Sequence, residues 1–336
     1  MAGLTKLSKG KIRAIVIAAV IFVLSLSLII SNLFVPLKYI GAYFVLPDNK
    51  CETGNMRVRF INVGTGDAVF VELPDGKTLL IDGGNGNYAN SHTVLKTLNS
   101  AGVKKLDYLI CTTVKGEHCG GLSTIVKYKK PKTIFMPYCL NEYVTKEYRA
   151  FSSAVKNCDA EIRICEFGEG AEGENENWFF AFLSPTSHLS PKGEYSELNS
   201  SYSTESIENA CPLIWLEYSG ISFMFTSDAS NKTLKNFIES YLILGASGWF
   251  SYKGHAIYPD KLNVLQLSAH GREHVDDINF YDLLKPQCAV ISASVSDYPK
   301  EEVLADIFNY VGKNLYVTGN SDGVSFNVTK NGYTVN

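Results

Sequence analysis

The eight cysteines of this chain, Cys51, Cys111, Cys119, Cys139, Cys158, Cys165, Cys211 and Cys288, include no C-x-x-C pair, which excludes zinc-ribbon and thioredoxin-type motifs. There is also no excess of positive charge. Lys and Arg number 31 against 34 Asp and Glu, a formal net charge of -3, so nothing draws the chain generally to phosphate backbones. Binding to nucleic acid would need a local basic patch, and none stands out along the sequence. No short-period repeat is evident, so a solenoid is not expected. Only one uncharged run is long enough to cross a bilayer, which excludes a polytopic channel in this chain.

What is present suits a large folded domain. The 336 residues are 46% hydrophobic and 19% charged, ample for a buried core. Lys6, Lys9, Lys11 and Arg13 precede an uncharged run from Ile15 to Pro36, rich in Ile, Val, Leu and Ala. Such a run predicts a membrane-spanning helix, and the preceding charges predict a cytoplasmic N-terminus. No small-x-small pair follows the run closely, so a retained anchor is expected in preference to a cleaved signal peptide. The organisation expected is a basic cytoplasmic tail over 1–13, an anchor over 14–36, a short linker over 37–55 and an extracytoplasmic domain over 56–336. The membrane is then a partner through the N-terminal helix. The cysteines beyond the anchor permit disulfides, and Cys158 with Cys165 forms one candidate pair beside the alternative of free thiols.

In the domain, period-two alternation predicts strands at 56–62, 68–73 and 78–81, with a tight turn at Pro74-Asp75-Gly76-Lys77. A helix is expected over 92–101, ended by Gly102, and then a buried strand over 106–112. This strand runs into Thr113-Val114-Lys115-Gly116-Glu117-His118-Cys119-Gly120-Gly121, followed by a helix from Leu122. Strand, polar glycine-rich loop and helix in that order mark the place where α/β folds set ligands. Further strands are expected at 133–136, 161–167, 213–218, 221–226, 264–268, 288–293 and 315–317, with a helix over 301–309. An exposed acidic loop is expected over 168–177. Two strand-rich halves, each with helices, predict an αββα four-layer sandwich.

Several of these stretches, taken together, resemble a family. Phe60-Ile61-Asn62-Val63-Gly64-Thr65-Gly66-Asp67, Leu80-Ile81-Asp82-Gly83-Gly84, Phe225-Thr226-Ser227-Asp228-Ala229, Ala269-His270-Gly271 and Tyr298-Pro299 look like the extracytoplasmic hydrolase domain of ComEC-type competence proteins. The resemblance implies a metallo-β-lactamase fold. In that family the loop after the central strand reads Thr-His-x-Asp-x-Asp-His-x-Gly-Gly, and it joins a later aspartate and a late histidine to bind one or two divalent metals. Here Thr113 stands for the first histidine, Lys115 for the next acidic ligand and Glu117 for the following aspartate, while His118, Asp228 and His270 remain.

The expected metal ligands are therefore Glu117, His118, Asp228 and His270, donors suited to one zinc or manganese ion. The second metal position is expected to be lost, because Thr113 is a poor ligand and the Lys115 ammonium repels a cation. Lys115 is expected to pair with Asp228 or Glu117 in its place, and Asp228 and Lys115 are the candidate catalytic residues. The substrate class would be a small-molecule or nucleic-acid-derived phosphodiester or related ester. The alternative is a non-catalytic binding module without metal, its histidine and carboxylate simply hydrogen-bonded. Asp82 is expected to orient the ligand loops. Cys119 reads as a small buried hydrophobe before it reads as a ligand. Asp67 lies in a glycine-flanked turn, Thr65 and Thr113 lack an evident base, and His92, His188 and His255 lack partners at useful spacing. His274 and Asp276 follow His270 and are further candidates.

Overall fold

The computed structural model describes residues 9–34, 37–46, 51–137, 145–174, 177–185, 210–245, 250–272 and 279–336. Helix α1, Lys9–Phe34, has 26 residues and is about 39 Å long at 1.5 Å per residue. Its stretch Lys9–Ile30 is long and apolar enough to cross a membrane, and none of it is buried against the rest of the chain.

Among the described residues an eight-stranded sheet has the order β17-β16-β1-β2-β3-β4-β5-β6. Its strands are β1 Met56–Ile61, β2 Val69–Glu72, β3 Thr78–Ile81, β4 Tyr108–Ile110, β5 Thr133–Met136, β6 Glu161–Ile164, β16 Gly323–Thr329 and β17 Gly332–Val335. A second, seven-stranded sheet has the order β15-β14-β13-β10-β9-β8-β7. It comprises β7 Gly170–Glu172, β8 Trp178–Phe182, β9 Ile214–Tyr218, β10 Ile221–Phe225, β13 Val264–Gln266, β14 Cys288–Ile291 and β15 Leu315–Val317. A small hairpin pairs β11 Phe250–Tyr252 with β12 His255–Ile257.

The layer order follows from which way successive side chains point, since neighbours on a strand face opposite sides of the sheet. Val69 and Val71 of β2 and Phe223 and Phe225 of β10 join one buried cluster between the two sheets. Their neighbours point away from it. Phe70, Leu80 and Leu109 pack instead with Val94, Leu98, Ile125 and Phe151, which belong to helices α2 Tyr88–Ser100, α4 Leu122–Lys129 and α5 Lys146–Lys156. On the far side, Ala181, Met224 and Leu265 pack with Leu234, Phe237, Leu284 and Ile307 of α6 Asn231–Gly245, α7 Asn279–Leu284 and α8 Glu301–Val311. Three apolar layers separating four structural ones make the αββα sandwich expected from the sequence.

Three details differ from the sequence reading, and one alternative that it leaves open is decided. Helix α2 begins at Tyr88 because the Asn87 side chain accepts from Asn90 N at 2.8 Å, an N-cap that apolar spacing does not reveal. The stretch read as an exposed acidic loop contains β7, in which Gly170 and Ala171 are buried against β8. Pairing with a neighbour rather than local composition decides that segment. The linker is no simple tether either. Leu37–Ala42 forms a 3-10 helix whose Tyr39 and Ala42 are buried; the Tyr39 ring stacks on Tyr88 at 5.5 Å, and Asn99 Nδ2 donates to Ala42 O at 2.6 Å. Finally, Cys158 and Cys165 are both free thiols, as are all the cysteines among the described residues. The Cys158 thiol donates to Val155 O and the Cys165 thiol to Cys111 O.

Candidate metal centre

Strands β3 and β4 run parallel, as do β10, β13 and β14, so the loops that leave them emerge along one edge of the sandwich. Asp82 follows β3, Thr112 to His118 follow β4, Ser227 and Asp228 follow β10, His270 follows β13 and Ser292 follows β14. The link between β1 and β2 adds Asp67 at the same edge. Backbone geometry there is unusual, with Asp82, Ser227, Ala269 and His270 all at positive φ. Left-handed conformations of this kind cost on the order of 1–3 kcal/mol each in non-glycine residues and persist where surrounding contacts impose them. Gly66 is needed for the same reason. At φ +130 its missing Cβ would stand 2.2 Å from Glu117 O.

The short helix α3, Gly116–Cys119, carries Glu117 and His118. The four expected ligands come together: Glu117, His118, Asp228 and His270 each offer an atom, and these atoms lie within 4.8 Å of one another. His118 Nε2 is 3.3 Å from Asp228 Oδ2, while His270 Nε2 is 3.5 Å from Asp228 Oδ1 and 3.9 Å from Glu117 Oε1. The two imidazole rings stack at 5.2 Å. Across a tetrahedral zinc with bonds of roughly 2.0–2.1 Å, ligand atoms stand roughly 3.3–3.4 Å apart, so most of these spacings are close to such a shell.

Outer contacts fix the rings. His118 Nδ1 lies 3.1 Å from Asp82 Oδ2, and Asp82 also accepts from Thr112 N and Thr112 Oγ1 at 2.9 and 2.6 Å. Ser227 Oγ joins Thr112 Oγ1 at 2.6 Å and His118 Nδ1 at 3.3 Å. His270 Nδ1 donates to Ser292 O at 2.8 Å. A carbonyl oxygen can only accept, so this bond puts the hydrogen on Nδ1 and turns Nε2 inward.

The electrostatics of the pocket are those of a cation site. His118 is held protonated well above the usual imidazole range; burial opposes this, and the Asp228 and Asp82 carboxylates outweigh it. Asp228 is held well below the carboxylate range, with burial opposing and His118, His270 and Lys115 prevailing. Burial raises the Asp67 carboxyl, against the pull of His270 and His118. Asp67 Oδ1, His118 Nε2, Asp228 Oδ1 and His270 Nε2 are all buried without a hydrogen-bond partner. Of these residues His118, Asp228 and His270 belong with Glu117 to one group; buried polar atoms left unpaired together need a common partner, and this group fits a divalent ion.

Lys115, a residue of the same loop, places Nζ 2.8 Å from Asp228 Oδ2. Thr113 is buried beside it in sequence. Cys119 is buried in the apolar layer under α4, its thiol pushed up to about 12 mainly by burial, which suits a hydrophobe and not a thiolate ligand. Of the remaining histidines, His92 faces Tyr88, and His255 stacks on Phe179 and meets Glu172 Oε2 at 3.2 Å. His188, His274 and Asp276 lie outside the described residues.

Sequence reasoning missed three participants. Asp67 Oδ2 is 3.5 Å from His118 Nδ1, and its other oxygen is 3.8 Å from His270 Nδ1. Arg272 reaches Glu117 Oε1 at 3.3 Å and Asp297 Oδ2 at 3.7 Å, and Thr65 Oγ1 donates to Asp297 Oδ2 at 3.1 Å. The glycines flanking Asp67 were the available signal, whereas nothing local marks Arg272 or Asp297.

No family model matches the chain. It is 23% identical over 282 residues to ComE operon protein 3 of Bacillus subtilis, a match covering 78% of this chain and 31% of that protein. The chain thus spans less than a third of that relative's length. Solved structures similar to it include the metallo-β-lactamase fold protein YhfI from Bacillus subtilis, at 9% identity and a TM-score of 0.47 over 80% of this chain and 98% of that one. Another is described as a metal-dependent hydrolase from Parabacteroides distasonis, at 10% identity and a TM-score of 0.42 over 82% of this chain and 99% of that one. With its two sheets between helical layers and a histidine-carboxylate cluster at the strand ends, the chain has the metallo-β-lactamase fold and is similar to ComE operon protein 3.

Proposed function

We propose that this chain is a membrane-anchored hydrolase, its domain outside the cytoplasm, that holds one divalent metal, zinc or manganese, with Glu117, His118, Asp228 and His270. The observation that carries this reading is the group of buried, unpaired donor atoms facing one another among those residues. A divalent ion bound there supplies Lewis acidity and brings the pKa of a bound water to about 7. The protein's part is to hold its ligands still. Asp82 fixes the His118 ring and Ser292 O fixes His270, so both present Nε2 to the pocket.

Lys115 gives the site its asymmetry. In the resembled family its position carries an acidic ligand for a second ion; here its ammonium takes one Asp228 oxygen at 2.8 Å. A fixed positive charge in that place disfavours a second cation and favours an anionic phosphodiester or related ester. Asp228 is the pivot, sharing its two oxygens between the lysine and the imidazoles.

The test is metal analysis of the purified full-length protein together with hydrolysis of bis(p-nitrophenyl) phosphate. One ion per chain is expected, with turnover lost in His118→Ala. No bound ion after reconstitution with zinc and with manganese would end the proposal.

The Lys115–Asp228 ion pair also favours a second reading, in which the lysine has replaced metal chemistry altogether and the cleft is a non-catalytic binding module. On that reading His118→Ala leaves function intact and no metal-dependent turnover is found.

A further inference from the structure

On the other side of the first sheet, a groove of about 810 Å³ lies between α4, α5 and the 3-10 helix Leu37–Ala42. Lys38, Lys105, Lys127 and Lys130 line it, drawn from three separate stretches of chain. Asp159 is the one carboxylate among its described lining residues. All four lysines are exposed, and none has an ion-pair partner among the described residues. Lys38 rests over the Tyr39 ring at 5.0 Å, and Lys127 over the Tyr128 ring at 5.0 Å. Ser123 and Ser153 add hydroxyls to the wall.

The groove's position says what fills it. Its wall begins at Lys38, four residues after α1 ends at Phe34, and Tyr39 and Ala42 are buried in the domain. The groove is therefore built onto the chain at the point where α1 would leave a bilayer. Leu37, Ile40, Phe44 and Leu46 of the same segment are exposed, and Phe44 and Leu46 are 81% and 90% accessible. Apolar side chains beside lysines, next to a span, match the interface of an anionic membrane, where hydrocarbon and phosphate lie within a few ångströms.

We infer that this groove is a membrane-contact site that seats the phosphates of anionic phospholipid headgroups, holding the domain against the bilayer. The inference rests on α1 being a membrane span and is independent of the metal site. The full chain is reconstituted in vesicles of phosphatidylcholine, with or without phosphatidylglycerol, and lysine acylation is followed by mass spectrometry. Lys105, Lys127 and Lys130 are expected to react about fivefold more slowly in the anionic vesicles, with protection fading at high salt. Lys235 and Lys313 serve as unaffected controls, and Lys127→Glu with Lys130→Glu is expected to remove the protection of Lys105. Equal labelling in the two vesicles, from chain that resists alkaline carbonate extraction, would overturn the contact site alone. Release by carbonate would overturn the span and the contact site together, leaving the proposed metal centre untouched. Equal protection by soluble glycerophosphate in phosphatidylcholine vesicles would make the ligand a free phosphate and so refute the bilayer assignment.

Discussion

Lys115 Nζ stands 2.8 Å from Asp228 Oδ2, while the other oxygen of the same carboxylate faces His270 Nε2 at 3.5 Å. One buried carboxylate thus meets the ammonium and His118 Nε2 through one oxygen, the imidazole at 3.3 Å, and His270 through the other. Charge at Lys115 and affinity at the four-residue cluster are coupled through it.

Replacing the lysine should therefore tighten metal binding. At an effective dielectric of about 20, unit charges some 5 Å apart interact by roughly 3 kcal/mol, and solvent at the partly exposed Lys115 trims this. Lys115→Met is expected to bind zinc at least about tenfold more tightly in chelator competition, while Lys115→Arg stays near wild type. Unchanged affinity in Lys115→Met would mean that the ammonium does not compete with the ion.

Asp82→Asn tests the support beneath His118. An amide can present N–H to Nδ1 and release the tautomer that turns Nε2 inward, so zinc affinity should fall about 10- to 100-fold. The visible spectrum of the cobalt-substituted protein should keep its shape, because Asp82 positions a ligand without being one. A changed spectrum would place Asp82 among the ligands.

A third expectation concerns pH and stability. Lys129 is buried, donates to Val103 O at 2.6 Å and to Asn99 Oδ1, and burial lowers its pKa to about 8. The folded state therefore resists protonating it, and between about pH 8 and its ordinary value near 10.4 the unfolded chain binds more protons. Stability from this group rises with pH across that window and is constant below it. Urea titrations of wild type and Lys129→Met should show wild type gaining on the variant from pH 8 to 10. A flat difference would place the charge in a solvated environment.

The inter-sheet layer offers a fourth measurement. Phe180 is fully buried, with its ring against Tyr108 at 5.5 Å and Phe135 at 5.6 Å. Phe180→Ala should cost about 3–5 kcal/mol of unfolding free energy. Ile162→Ala, on the exposed edge strand β6, should cost within about 0.5 kcal/mol. Similar losses at the two positions would contradict the layer assignment.

Much of this architecture was legible in the sequence because period-two alternation with glycine turns marks hairpins directly. The turn at Gly76 forms where expected, and Ser219-Gly220 turns the chain between the strands expected at 213–218 and 221–226, all three residues at positive φ. The continuous run Trp178 to Phe182 was harder, since apolar residues buried on both faces leave no alternation to read. Helix α5 has a strong apolar stripe in Tyr148, Phe151 and Val155, which the sequence reading passed over. For the site, the resemblance to the ComEC-type ligand pattern singled out Glu117, His118, Asp228 and His270, and their chemistry marked them as suitable metal donors. Asp67 and Arg272 stayed hidden because their roles come only from loops meeting across the strand ends.

Strand β1 opens the domain, yet it is held between β2 and β16, and β16 pairs along its whole length from Met56↔Val328 to Ile61↔Gly323. The domain's earliest strand therefore waits with one edge bare until residues 323–328, more than 260 positions further on, have been made. Closing so distant a pair is slow in entropic terms, and the bare edge is an invitation to foreign strands in the interval. A ribosome releasing this chain must deliver it as far as Val328 before β1 can be closed on both edges.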